Sequence, residues 1–256
     1  KLEVLDGKGA VIETLPAGKS RGINRVVWSM QVKPPPVPRA ATLAWAGTAG
    51  PRVLPGTYTV RLTSGGQVLE TKLEVKLDAR APYTVAERTQ QFDAAMRVHG
   101  LFADMTKLVA RIEAAHALAS KRAKEQDLAF KMRQQLSGGT AKPAAGERDW
   151  QGLAERLEAC RKQIVATKEG GAITGEERLR EHADALYGAL LGWEGKPAKT
   201  LLERTEVLRR ELGDVQAEVE RLLTEARLDV PVAAELPSSG CWRASGTGCF
   251  GSATSR

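Results

Sequence analysis

The side chains able to do chemistry in this chain are few and far apart. There are three histidines. His99 and His116 share one helical stripe but are seventeen residues apart, nearly five turns, too far to grip a metal whose donors sit about 2 Å away. His182 lies between Leu179 and Leu186 without a second ligand at metal spacing. Cys160 occupies an apolar heptad position and reads as a small buried hydrophobe. Cys241 and Cys249, eight residues apart in a glycine-rich stretch, could close a loop disulfide in an exported protein, but no histidine stands beside them to make a zinc site. The run Gly138-Gly139-Thr140-Ala141-Lys142 only superficially resembles a phosphate loop: no Ser or Thr follows the lysine and no strand precedes it. The neighbouring carboxylates Glu176 and Glu177 fall in a helix first turn, where they complement the dipole. No Gly-x-Ser-x-Gly elbow and no His-Glu-x-x-His occurs. These residues predict a chain that is not itself an enzyme and that holds no metal or cofactor. The candidate contact residues are Trp45, an aromatic in a loop that could stack on a sugar or a partner protein, with Arg39 and Arg52 on either side of it in the chain.

The elements that must position these residues follow from composition and periodicity. The 256 residues suffice for two cores. At 42% apolar and 27% charged the composition is that of a soluble protein, and no apolar run reaches the length of a membrane span. The chain starts at Lys1 with an alternating segment, so the expectation is a mature or excised piece of a larger product without a signal peptide. Nearly all of the net charge of +7 belongs to residues 1–80, which hold twelve Lys and Arg against six Asp and Glu. Those cations are scattered, which argues against a nucleic-acid groove and for a solvated basic face.

Residues 1–80 read as strands and turns. Leu2 to Asp6 and Ala10 to Leu15 flank Gly7-Lys8-Gly9, a hairpin signal because glycine supplies the positive φ of a tight turn. Gly22 to Met30 alternates, with Asn24, Val26, Trp28 and Met30 on one side and Arg25, Val27 and Ser29 on the other. Pro34, Pro35, Pro36 and Pro38 cannot donate to a ladder and predict an extended edge or loop. Residues 39–53 form an irregular excursion. Pro55-Gly56 then turns into Thr57 to Thr63, and Gly65-Gly66 reverses the chain into Gln67 to Leu77. Six or seven short strands in eighty residues predict an immunoglobulin-like β-sandwich.

Beyond Pro82 the period becomes helical. Thr84 and Glu87 form a capping box, and an apolar stripe runs from Phe92 through Phe102, Val109 and Ile112. A single helix from Thr84 to Leu136 would be roughly 80 Å long at 1.5 Å per residue, so it must break near Ser120 or project; a projecting hairpin, with Lys121 to Leu136 against the Trp150 helix, is the preferred arrangement. Trp150 to Thr167 and Leu179 to Trp193 step by three and four, the latter behind a second capping box at Thr174 and Glu177. Pro197 suits the first turn of a last helix with heptad spacing from Leu201 to Leu222, and Pro231 stops it. The predicted architecture is a sandwich over 1–80, an all-α antiparallel four-helix bundle over 81–236, and a disordered glycine- and serine-rich tail over 237–256.

The order of these motifs, Asp-Gly-x-Gly, Gly-Ile-Asn-Arg-Val-Val-Trp, the proline-rich segment, Leu-Pro-Gly-Thr-Tyr-Thr-Val-Arg-Leu, the Gly-Gly hairpin and Val-Lys-Leu-Asp-Ala-Arg, resembles the immunoglobulin-like domain of the flagellar hook-capping protein. It is more similar to the C-terminal region of large bacterial exported proteins that begin with a sortilin-type or neuraminidase-repeat β-propeller and are often labelled glycosyl hydrolases. Asp78-Ala79-Arg80 departs from that family's usual Asp-Pro-Arg. The resemblance implies an exported protein, periplasmic, cell-surface or extracellular, in which any catalytic residues lie on a propeller. This chain would then be an accessory module that docks on the propeller or other subunits and mediates assembly, the alternatives being a carbohydrate-binding sandwich or the C-terminal part of a glycosyl hydrolase whose active site lies on the propeller.

Overall fold

A computed structural model describes residues 1–140, 148–168 and 176–230. The second capping residue Thr174, Cys241, Cys249, Pro231 and the tail lie outside the described residues. Four strands form one antiparallel sheet in the order β2-β1-β3-β4, with β1 Leu2–Leu5, β2 Val11–Leu15, β3 Gly56–Ser64 and β4 Gln67–Val75. The first hairpin is set by Asp6, whose Oδ1 accepts from the backbone N–H of Lys8 at 2.9 Å and of Ala10 at 2.8 Å. The second turns on Gly65 and Gly66, whose φ values of 55° and 82° suit a two-residue turn that brings Ser64 opposite Gln67.

This single sheet corrects the expected immunoglobulin-like sandwich, because among the described residues no second layer of strands faces it. The stretch from Gly22 to Met30 keeps its alternation, with Val26 and Trp28 half-buried and Val27 exposed, and Trp28 meets Tyr58 edge-on at 5.6 Å. It nevertheless pairs with nothing. Met30 adopts φ 57°, a conformation that costs a non-glycine residue about 1 kcal/mol, and bends the chain out of its extended path. Beyond it, Val32 donates to Pro51 O and Val53 to Met30 O, and the isolated bridge of Gln31 with Arg52 marks the base of a long strap, residues 33–50.

The prolines decide where that strap goes. Lacking N–H groups, they cannot join a ladder, and their extended helix advances about 3.1 Å per residue. The carbonyls of Lys33 and Pro36, about 9 Å apart on that rise, accept from His99 Nε2 at 3.0 Å and Thr106 Oγ1 at 2.8 Å. Seven residues of α-helix advance about 10.5 Å, so the two repeats match. The strap thus lies along a helix and not beside a strand. It closes tightly at Gly50, where a Cβ would come within 1.8 Å of Val32 O.

The helices are α1 Val85–Leu136, α2 Trp150–Ile164, α3 Leu179–Leu191 and α4 Lys199–Glu225. Thr84 caps α1 by accepting from Glu87 N at 3.2 Å, while Glu87 accepts from Thr84 N at 2.9 Å. Glu181 likewise accepts from Arg178 N at 3.1 Å at the start of α3, and Pro197 lies one residue outside the N-cap of α4, Ala198. All four helices share one core, with Phe102, Met105, Ile112, Leu157, Tyr187 and Leu208 fully buried in it. The expected all-α antiparallel four-helix bundle is met only in part: four helices share a core, but the rods do not match. At 52 residues α1 is about 78 Å long and unbroken at Ser120, against about 22 Å for α2, 20 Å for α3 and 40 Å for α4. The distal part of α1 projects, and Arg122 stacks on the Trp150 ring at 4.6 Å where α2 begins. No helix among the described residues is long and apolar enough to cross a membrane.

Candidate functional site

Folding keeps the chemistry-bearing residues apart. His99 is spent on the strap carbonyl of Lys33, His116 faces α2 near Glu158, and His182 Nδ1 lies 3.9 Å from Glu177 on α3. Cys160 is buried in the helical core, and burial pushes its thiol pKa up, away from the thiolate form that reacts. Among the described residues no group of three His, Cys, Asp or Glu is placed to hold a metal ion.

Several of the buried polar side chains hold the strap and its base. Arg88, in the first turn of α1, donates to Arg52 O, Val53 O and Gln91 Oε1, and Gln91 Nε2 in turn donates to Leu190 O on α3. Glu194 supplies the balancing charge, 3.8 Å from Arg88 and 3.3 Å from Arg52, and accepts from Tyr83 Oη at 2.8 Å. Burial depresses the pKa of Arg88, and Glu194 opposes that shift. Further along, Arg180 donates to Thr42 O at 2.9 Å and to Thr42 Oγ1 at 2.7 Å, while Asp184 accepts from Gly47 N at 2.8 Å. Tyr187, almost wholly enclosed, donates to Ala49 O at 3.2 Å, and burial alone raises its pKa. Periodicity could have flagged Arg88 and Gln91, which sit three residues apart on a face that is otherwise apolar and so require buried partners. Nothing in the sequence named those partners, because they are backbone carbonyls of the strap and of α3.

The residues expected to contact a glycan or a partner do not converge. Arg52 is drawn to Glu194. Arg39 is exposed on the strap. Trp45 is 75% exposed beside Leu43, at the start of a single 3₁₀ turn, Ala46–Thr48, and only its carbonyl is engaged, by Thr48 Oγ1 at 2.6 Å. A sugar-stacking ring needs polar side chains around its rim, and here Arg52 is engaged by Glu194 instead.

Comparison of the chain with protein-family models, with curated proteins and with solved structures finds no match. The geometry must therefore speak alone.

What the geometry leaves open is the sheet. Its small core, Val4, Val53 and Tyr58 backed by Ile12, Leu15, Trp28, Val32 and Val75, covers one end of one face. At the other end Leu62 and Leu69 lie opposite each other on that same face, and Leu73 stands opposite Tyr58 at the border of the core. Leu69 is 63% and Leu73 39% exposed. β4 is also the sheet's outer strand, with a free backbone edge. A second concavity, of about 240 Å³ between the distal part of α1 and the start of α2, is lined by Phe130, Trp150, Asp127 and Arg148 and is shallow.

Proposed function

We propose that this chain is a non-catalytic interaction module of a larger exported protein, docking on that protein's β-propeller through the uncovered face of its sheet. The observation that carries the reading is the exposed apolar pair Leu62 and Leu69, directly opposite each other, with Leu73 about 13 Å further along β4 on the same face, which no other described residue is seen to cover. The motif order that resembles the propeller-bearing family supports it as well, since those motifs supply both hairpins and the strap. The buried ionisable groups serve architecture instead of a reaction, which leaves recognition by surface as the activity the geometry favours.

Size-exclusion chromatography and calorimetry of this chain with the separately produced propeller of the same protein test the reading. The expected result is a complex that Leu69→Glu weakens at least tenfold. Failure to bind, or binding indifferent to Leu69→Glu, overturns it, as does turnover of a glycoside by this chain alone.

A further inference from the structure

We propose that the edge of β4 is the seam of a symmetric pair, in which two copies of this chain join their β4 strands antiparallel about Thr71 and merge two four-stranded sheets into one of eight. The proposal goes beyond the docking reading: it concerns the edge of the sheet, not its face, and assigns that edge to a second copy.

The two edges of the sheet differ. β2 is five residues long, is offset by an irregular register against Val4 and Leu5, and is followed by Pro16, all devices that blunt an edge. β4 has nine residues in unbroken register with β3, no proline and no bulge, and eight of the nine are exposed. Such an edge offers its hydrogen-bonding groups to another strand.

Hydrogen bonding in the sheet fixes which groups it offers. Thr63 exchanges both of its backbone bonds with Lys1, donating to Lys1 O at 2.8 Å and accepting from the Lys1 amine at 2.8 Å, so Thr63 faces β1. Its neighbours Leu62 and Ser64 therefore face β4, and opposite them Leu69 and Gln67 face β3. By alternation Val68, Glu70, Lys72 and Glu74 present their N–H and C=O groups to solvent.

The register centred on Thr71, the middle residue of β4, pairs all nine residues of the strand and satisfies the side chains, whereas centring on Leu73, which also opposes Lys72 to Glu74, pairs only five. Centred on Thr71, Leu69 faces Leu73 of the partner subunit and Glu70 faces Lys72 of the partner subunit, and the twofold axis repeats both pairs. Residues 70 and 72 are also those whose backbone groups point outward, so the opposed charges fall on a hydrogen-bonded pair. Centring on Glu70 or on Lys72 instead sets like charges opposite each other, which destabilises a sheet. A slip of one residue turns the leucine row of one copy onto the charged row of the other. A parallel, in-register pairing stacks Glu70 on Glu70 and Lys72 on Lys72. In the favoured register the charges extend contacts already present, because Arg61 Nε donates to Glu70 at 2.7 Å and Lys72 Nζ to Thr59 at 2.8 Å. The exposed Leu69 and Leu73 gain an apolar neighbour across the seam. A seam of one strand buries little area, so the pair is expected to be weak and to respond to concentration.

Sedimentation velocity of the full chain over a dilution series tests this. The expected result is a reversible dimer, weakened at least tenfold in Lys72→Glu and in Glu70→Lys. An equimolar mixture of the two variants should restore it as a heterodimer, because every opposed pair then has opposite charge. A second arm is independent of those charges: Thr71→Cys, with Cys241 and Cys249 replaced by Ser, should cross-link two copies on mild oxidation, because opposed residues at a non-hydrogen-bonded position stand about 4.5 Å apart at Cα, within disulfide range. A chain that remains monomeric throughout, a dimer untouched by both charge variants, or a Thr71→Cys protein that stays uncross-linked overturns the proposal. A monomer that still binds the propeller removes the pairing and leaves the docking function standing; a dimer that binds no propeller does the reverse.

Discussion

The helical and sheet parts of this molecule are built from similar shares of apolar residues, yet one closes on itself and the other does not. In the helical part Ala95, Val98, Phe102, Met105, Ile112, Leu157, Ile164 and Tyr187 are all sealed from water. In the sheet part the continuous core is Val4, Val53 and Tyr58, and one end of the apolar face is bare. The segment that might have roofed the sheet, the strap over residues 33–50, is committed to the helices by His99, Thr106, Arg180 and Asp184. A strap rich in proline has few N–H groups to donate to a ladder, and here carbonyls of Lys33 and Pro36 take donors from helix side chains instead. The uncovered sheet is thus a consequence of where the prolines send the chain.

The contrast can be broken most forcefully from the helical side. Phe102→Ala empties a site fully enclosed against Tyr187, whose ring lies edge-on at 5.6 Å, and should cost about 3–5 kcal/mol in denaturant unfolding monitored by helical circular dichroism. The strap is expected to matter next. Arg88→Met removes charge-assisted bonds to Arg52 O, Val53 O and Gln91 and leaves Glu194 without its buried partner, for a loss of about 2–3 kcal/mol. Amide exchange should then quicken in the strap before it quickens in α1.

These two sites also show how much of the molecule was legible beforehand. The hairpins at Gly9 and Gly65-Gly66, the cap at Thr84 and the periodic helices follow from local chemistry, and local chemistry is written in neighbouring residues. The alternation around Trp28 was equally plain, but alternation specifies a face and says nothing about a ladder. Whether Gly22 to Met30 pairs depended on a bend at Met30 and on carbonyl partners some seventy residues away on α1, neither of which leaves a pattern in the sequence. The partner of Arg52 is hidden for a similar reason. Arg52 pairs with Glu194, 142 positions later, and no local pattern marks that ion pair.

Smaller effects sharpen the comparison. Gly50→Ala forces a Cβ against Val32 O and should cost about 2 kcal/mol by overpacking, loosening the strap without altering helix content. Thr84→Ala removes one half of the α1 capping box, for about 1 kcal/mol. The smallest effect is acidic. Bonds from the Thr84 backbone hold Glu87 below the usual glutamate range, and Arg161 and Arg221 do the same for Glu158 and Glu218. Each binds its proton more readily in the unfolded chain, near its ordinary value of 4.5, than in the fold. Their stabilisation is therefore complete above about pH 4.5 and declines as pH falls through the lower folded values. All three belong to helices, so urea midpoints measured from neutral pH down to pH 3 should fall through loss of helix, with the β-hairpins following.

The central claim, that the sheet is a single layer because the strap belongs to the helices, is tested most directly by residue-resolved amide hydrogen exchange. It predicts slow exchange at Val60, which lies between β1 and β4, and fast exchange through Arg25, Val26 and Val27, whose N–H groups have no ladder. Protection across residues 25–27 as strong as that in β3 would reveal a second sheet and contradict the account.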